Sequence, residues 1–510
     1  MAHDPTSIAA VQPLDAHNRR LLENVHPPAW SNPEPKDRYH LVVVGAGTAG
    51  LVTAAIAAAL GAKVALIERE LMGGDCLNVG CVPSKAILAA ARAWQGARDA
   101  AERYHGPAVS GDGDFAAVME RMRRIRADIS PVDGARRFRD ELGVDVFLGD
   151  GRFVAEDAVE VDGTRLRFHR AVIATGARAA LPPIEGIDRV ACLTNETVFS
   201  LTERPEHLAV IGGGPIGCEL AQAFVRLGAR VTVIDAGPRI LPHDDADAAE
   251  VVATALRREG VEILTDARID SVRESGAGKT IRVTRGGESV EITASHLLVA
   301  AGRAPNVEGL GLEEAGIEYE KKGVAVDERM RTSNPHVYAI GDVASRFQFT
   351  HAADAQARMV VRNALFFGRG KATDLIIPWC TYTSPELAHV GIAPDEVREA
   401  GEEVETITIP MHESDRAKTD GTTEGFFRVH LKAGSDTILG ATLVAEHAGE
   451  IISQVTQAMT AGTGLGKLGE TIFPYPTSAE VLRKAADAWN RRKLTPTAKR
   501  AFGLFFRARG

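Results

Sequence analysis

Two stretches of the chain repeat one order of apolar and polar positions. Residues 41–68, LVVVGAGTAGLVTAAIAAALGAKVALIE, open on an apolar run, break at glycines, continue through alanine and leucine, and close on a second apolar run that ends in an acid. Residues 208–235, LAVIGGGPIGCELAQAFVRLGARVTVID, align with them without gaps, 11 of 28 positions being identical. Each copy predicts a buried strand, a glycine turn, a helix and a second strand. Each also places its acid 23 residues after its first glycine, Glu68 after Gly45 and Asp235 after Gly212. One glycine fingerprint is weak evidence, but two with the same spacing predict two dinucleotide sites on an α/β fold.

A shorter echo follows each copy. Ala171-Val172-Ile173-Ala174-Thr175-Gly176 resembles His296-Leu297-Leu298-Val299-Ala300-Ala301-Gly302, an apolar strand that ends in small residues. Such ends let backbone approach a cofactor, and they serve equally as tight exits from a strand. Prolines 182, 183 and 205 mark the entry to the second nucleotide unit, and Arg303-Ala304-Pro305-Asn306 the return. After Pro378 the texture becomes strand-like, as in Phe426-Phe427-Arg428-Val429-His430-Leu431, and then helical.

A length of 510 residues predicts about three domains. Hydrophobic residues at 45% and charged residues at 25% fit a globular chain. The net charge of -9 argues against nucleic acid as a partner, which asks for a basic footprint. No apolar run reaches membrane-spanning length, and the polar, proline-punctuated start lacks a signal-peptide pattern, so the cytoplasm is the expected location. The last twenty residues, from Arg491, carry seven basic side chains and no acid around Phe502, Leu504, Phe505 and Phe506. They predict a basic amphipathic helix that packs against the body or a partner subunit, with contact to a membrane surface as the weaker reading.

Of five cysteines, Cys76 and Cys81 stand together in Gly73-Gly74-Asp75-Cys76-Leu77-Asn78-Val79-Gly80-Cys81-Val82-Pro83-Ser84-Lys85. The pair reads as a redox-active dithiol. On a regular helix positions i and i+5 lie about 8.6 Å apart, beyond disulfide reach, so a bond needs a distorted turn, which Gly80 permits. Pro83 suits the first turn of a helix through Lys85, which leaves Cys81 at the positive end of the helix dipole and favours its thiolate. Half of a zinc site is the competing reading, but Cys192, Cys218 and Cys380 are scattered singly.

With these motifs and Tyr338-Ala339-Ile340-Gly341-Asp342, the chain resembles, over roughly residues 38–490, the flavoprotein pyridine nucleotide-disulfide oxidoreductases, among them glutathione reductase, dihydrolipoamide dehydrogenase and mercuric reductase. The resemblance implies an FAD-binding domain (38–185 and 303–376) split by an NAD(P)H-binding domain (186–302), and an α+β dimerisation domain (377–490). Residues 1–37 form an N-terminal extension and 491–510 the basic tail. It further implies FAD on Gly45, Gly47, Gly50, Glu68, Thr175, Gly176, Gly341 and Asp342, although Asp342 also reads as a helix N-cap. NADH or NADPH would lie on Gly212, Gly214, Gly217, Asp235 and Gly302. An acid at Asp235 favours NADH, a preference that Arg230 and Arg239 would soften. Cys81 would face the flavin and Cys76 meet the acceptor, with Lys85 and Glu219 beside the flavin where nicotinamide stacks.

In thiol-disulfide members a C-terminal histidine and a glutamate five residues later reach the dithiol from the partner subunit. Here Tyr475 fills the histidine slot while Glu480 keeps its spacing. Tyrosine, with an ordinary pKa of about 10 against about 6.5 for histidine, is a poor base at neutral pH. The substitution resembles mercuric reductase, but no cysteine follows Cys380 or precedes Cys76, so that family's cysteine delivery route is not expected. Three functions remain open: a homodimeric reductase, with its active site shared between subunits, of a metal ion such as Hg(II) or another small oxidant; a reductase of a low-molecular-weight disulfide; and a redox-sensing or partner-docking flavoprotein subunit.

Overall fold

The structure, a computed structural model, describes residues 6, 8–276, 278–393, 396–397 and 404–510. Its first sheet sets the parallel strands Asp145–Leu148, Val64–Glu68, Tyr39–Val44 and Thr164–Ile173 side by side, with antiparallel Ala158–Val161 and Gly151–Ala155 beyond them. Leu41 to Val44 and Val64 to Ile67 are all buried, because this parallel sheet is covered on both faces. Helix Thr48–Ala59 lies on one face, packed against helix Thr350–Leu365.

The chain leaves this sheet after Ile173, and Val337–Ala339 later pairs in parallel with the same strand. Between them stands a second parallel sheet, Val261–Leu264, Arg230–Ile234, His207–Ile211 and His296–Val299, with a three-stranded antiparallel sheet of Ala267–Ser275, Gly278–Arg285 and Glu288–Ala294. The outgoing Ala177–Ala179 and returning Arg303–Pro305 pair antiparallel, so the two crossings run as one ribbon.

A five-stranded antiparallel sheet follows: Trp379–Thr381, Glu386–Gly391, Ile438–Ala445, Phe426–Lys432 and Val404–Pro410, with helices Ala448–Thr460 and Glu480–Arg492 packed on it. Phe426–Lys432 is a strand as its pattern predicts, but His430 is buried and Arg428 nearly so. The reason is the start of a helix of the second unit, Ala246–Arg258, on the other face. Arg428 pairs with Asp245 at 3.4 Å and Asp247 at 2.6 Å, Thr442 donates to Asp245 at 2.7 Å, and Trp379 donates to Asp244 at 2.8 Å.

The N-terminal extension folds back on the body. Helix Ala16–Val25, capped by Asp15, buries Leu21, Leu22 and Val25 and packs against helix Phe115–Ile129. The tail forms the expected helix, Pro496–Ala508, but none of its residues is buried. Packing against the body of its own chain is therefore not what covers its aromatic face. Among the described residues no helix is long and apolar enough to cross a membrane.

Candidate functional site

One cleft of 2210 Å³ runs from the first glycine turn past both cysteines to the second glycine turn. The two turns are built alike. Gly50 follows Gly45 so closely that a Cβ on it would stand 1.8 Å from the Gly45 carbonyl oxygen, and at Gly217 the distance to the Gly212 oxygen is 2.0 Å. Gly45 and Gly212 have φ of +102° and +106°, and a Cβ on either would strike the carbonyl of Ala174 or Ala300. The echoed strand ends therefore stop against the glycine turns. Gly47 and Gly214 stand at the N-termini of their helices, where free N–H groups and the dipole favour a pyrophosphate.

Glu68 accepts hydrogen bonds from Ala46 N at 2.7 Å and Glu70 N at 2.8 Å. Asp235 repeats this with Gly213 N at 2.6 Å and Gly237 N at 2.7 Å. Burial pushes the Glu68 carboxyl upward against these backbone bonds. The arginines expected to temper Asp235 are engaged elsewhere. Arg239 donates to the carbonyls of Leu241 and Pro242 at 2.6 and 2.9 Å, and Arg230 lies 3.7 Å from Glu262.

Gly302 lies in the return crossing, and Thr175 and Gly176 in the outgoing one. Thr175 Oγ1 donates to the Asn306 carbonyl at 2.8 Å, and Asn306 N to the Gly176 carbonyl at 3.0 Å. Asp342 sits in the single turn Gly341–Val343 and caps nothing, so the N-cap reading is set aside. Its carboxyl is pushed up to about 6, chiefly by burial, against the pull of Arg303 at 3.5 Å. Gly341 N donates to Gln356 at 2.8 Å.

Cys76 lies on the short helix Gly74–Asn78, and Cys81 opens helix Cys81–Tyr104 with Gly80 as its N-cap and Pro83 in the first turn. Both thiols are free. The distorted turn that the spacing requires is the break at Val79-Gly80, where a Cβ on Gly80 would lie 2.8 Å from the Asp75 carbonyl oxygen. The Cys76 hydrogen bond, then Thr350 at 3.4 Å and the Lys85 charge, hold the Cys81 thiol below its ordinary range, against burial. Cys76, which makes that bond and is desolvated, is pushed up.

Lys85, one helical turn after Cys81, lies 2.7 Å from Glu219 Oε2. Glu219 is not the solvated residue its helix position implies: it is 5% exposed, and its other oxygen accepts from Tyr382 N at 2.9 Å. Lys85 Nζ also stands 4.5 Å from the centre of the Tyr382 ring. Thr350 and Tyr382 escaped the sequence reading, and Arg303 entered it only as part of the return crossing, since no spacing motif marks them for the site and only the fold brings them to the cleft.

Tyr475 and Glu480 lie outside this cleft, beside a second, smaller hollow with Arg483 and Lys484. Tyr475 is 76% exposed, and its hydroxyl donates to Asp415 at 3.3 Å. The Asp415 charge raises the phenol further above neutrality. Glu480 accepts from Ser414 Oγ and Asp415 N, both at 2.9 Å. Among the described residues no group of three or more His, Cys, Asp or Glu side chains is arranged to hold a metal ion.

Residues 39–357 match the family model described as pyridine nucleotide-disulphide oxidoreductase, and residues 377–486 match that family's dimerisation domain. The chain belongs to the pyridine nucleotide-disulphide oxidoreductases. Within this family it is 36% identical to mercuric reductase of Streptomyces lividans, over 88% of this chain and 96% of that protein. It is 34% identical to mercuric reductase of Bacillus cereus, over 94% and 75%. Dihydrolipoyl dehydrogenase of Thermus scotoductus is 35% identical over 89% and 98%. The fold superposes on the Cu(II) complex of the HOCl-induced flavoprotein disulfide reductase RclA of Escherichia coli with a TM-score of 0.78, at 28% identity over 87% of this chain and 98% of that one.

As a member of this family the protein is an FAD-dependent oxidoreductase that takes electrons from NAD(P)H. The chain fits both dinucleotides: at Gly50 and Gly217 a side chain would fill the space by which each turn approaches its helix.

Proposed function

We propose that this protein moves two electrons from NAD(P)H through FAD to a Cys76/Cys81 disulfide, and from the resulting dithiol to a small acceptor, a thiophilic metal ion such as Hg(II) or another small oxidant. The observation that carries this reading is Cys81: a thiol at a helix N-terminus, hydrogen-bonded by Cys76 and Thr350, four residues from Lys85. Those surroundings stabilise a thiolate.

Bound FAD would supply a carrier for the hydride of NAD(P)H and for the electron pair that the disulfide needs. The Gly45, Gly47 and Gly50 turn with Glu68, and Gly341 and Asp342, would hold it, with Thr175 and Gly176 lining its cleft. Gly212, Gly214, Gly217, Asp235 and Gly302 would surround the nicotinamide dinucleotide. Glu219 fixes Lys85, whose charge balances negative charge developing beside it. Reduction of the disulfide breaks the S–S bond and takes up two electrons and two protons. When Hg(II) accepts the pair it leaves as the metal, the S–S bond re-forms, and two protons are released.

Tyr475 favours a metal ion over an ordinary disulfide. A disulfide acceptor needs a base for the Cys76 proton, and this phenol, held up by Asp415, does not titrate near neutrality. Tyr475 and Glu480 act at the Cys76 of a partner subunit, so the working unit is a homodimer. Mixing the NADH- or NADPH-reduced enzyme anaerobically with Hg(II), Cu(II), quinones and disulfides tests the reading. Turnover of a metal ion with slow turnover of disulfides is expected, and the absence of any thiolate-to-flavin charge-transfer absorbance on reduction overturns the dithiol route.

A further inference from the structure

The guanidinium of Arg126 is fully buried, with no carboxylate among its hydrogen-bond partners in the described residues. Nη1 donates to the Asn78 carbonyl at 2.6 Å, and Nη2 to the Ala10 carbonyl at 2.8 Å and to Asn18 Oδ1 at 2.7 Å. Asn78 lies between Cys76 and Cys81, while Ala10 and Asn18 belong to the N-terminal extension. One planar fork therefore joins the turn that carries both thiols to a segment far away in sequence.

Several further contacts make this a built junction rather than a chance one. Arg123, one helical turn before Arg126, holds Asp15 at 2.7 Å, and Ser200 Oγ donates to the Ala9 carbonyl at 2.5 Å. Asn78 clasps the turn from inside, its Nδ2 donating to the Met72 and Gly74 carbonyls at 3.1 and 2.9 Å. Ile8, Ala9 and Ala10 line the same cleft as Cys76, Asn78, Val79 and Cys81. Burying a charged group this completely costs free energy that a stability role alone could avoid with an apolar side chain.

We infer that Arg126 is a positioning residue for the dithiol, and that through it the N-terminal extension forms a working wall of the redox chamber. The guanidinium fixes the carbonyl midway between the cysteines, and this holds the two sulfurs at the separation from which the S–S bond closes. Loss of the fork lets the turn relax, lowers the effective concentration of one thiol for the other, and favours the open dithiol. The inference rests on the dithiol reading given above.

The test compares wild-type holoenzyme with Arg126→Met, Arg126→Lys and Asn18→Ala. Each is equilibrated with glutathione buffers to obtain the dithiol–disulfide constant, and its two half-reactions are followed separately by stopped flow. Arg126→Met is expected to shift the constant toward dithiol by about tenfold, about 30 mV for this two-electron couple. It is expected to slow re-oxidation by Hg(II) while leaving flavin reduction by NADH within about twofold, a split that simple destabilisation does not produce. Lysine reaches one side of the junction but not both, so Arg126→Lys gives a partial shift. Asn18→Ala keeps the arginine and moves the constant the same way by less, which retains a test if Arg126→Met does not fold. Wild-type constants and half-reactions in folded Arg126→Met, or in Asn18→Ala, overturn the inference. A wild-type enzyme with no titratable dithiol overturns the dithiol reading instead.

Discussion

Lys85 Nζ stands 2.7 Å from Glu219 Oε2, across 134 residues of sequence and between the two nucleotide-binding units. The lysine comes from the helix that Cys81 opens, and the glutamate from the helix behind the second glycine turn. The helix that Cys81 opens is thereby tied to the helix behind the second glycine turn, and Tyr382 closes the arrangement with its N–H on Glu219 and its ring under Lys85.

Replacing Glu219 by Ala removes the only carboxylate hydrogen-bonded to Lys85 among the described residues and leaves Tyr382 N without its acceptor. Flavin reduction by NADH is expected to slow by roughly tenfold to a hundredfold, from the lost orientation of a charge beside the reacting centre. Stopped-flow absorbance at the flavin band measures it.

Cys76→Ser should abolish acceptor turnover and spare flavin reduction, because the hydroxyl cannot re-form the S–S bond. Retained turnover with Hg(II) would redirect the chemistry to the flavin itself.

Asp235 receives two backbone N–H groups and, among the described residues, has no arginine bonded to it, so a 2'-phosphate placed there would meet an unshielded carboxylate. NADH is expected to show the higher kcat/KM by at least about tenfold, since like-charge juxtaposition costs several kcal/mol. Steady-state kinetics with both dinucleotides decides it; a clear NADPH preference removes the argument.

Tyr475→His puts a side chain that titrates near neutrality at the position proposed above to act at the dithiol of a partner subunit. Turnover of a low-molecular-weight disulfide is expected to rise by about a hundredfold at pH 8, the usual worth of a positioned general base. Tyr475→Phe, assayed alongside, should leave disulfide turnover slow, and equal rates for all three proteins would take Tyr475 out of the reaction.

Burial pushes the Asp244 carboxyl up from 3.8 to about 6, against the hydrogen bond from Trp379. Between those values the folded chain holds more proton than the unfolded one, so this group's contribution is greatest at low pH and is lost as pH rises through about 6. Asp244→Asn still accepts from Trp379 and removes the titration. It should stabilise the protein by about 1–3 kcal/mol at pH 7.5 and by much less at pH 4.5, as read from denaturant unfolding at the two pH values.

The two glycine turns were legible because close backbone approach admits only glycine at Gly50 and Gly217, so the constraint is written in residue type. The same holds for Cys76 and Cys81, whose spacing demands the break found at Val79-Gly80. Arg428 and His430 were harder: their alternation announces a strand, but the helix start at Asp245–Asp247 that covers them is remote in sequence. Asp342 and Glu219 look like ordinary helix-terminal and helix-surface residues until their neighbours are known.

The chain by itself determined the repeated glycine turns and the close pair Cys76 and Cys81, since each is a local demand of backbone geometry on particular residue types, while the tyrosine in place of histidine was legible only through the family resemblance. Tertiary structure alone decided the environment of those groups: Glu219 on Lys85, Thr350 on Cys81, Asp415 on Tyr475, and Arg126 between the redox turn and the N-terminal extension. Hydrogen bonds and charges act over a few ångströms of space and are indifferent to separation along the chain, so no spacing rule in the sequence marks them.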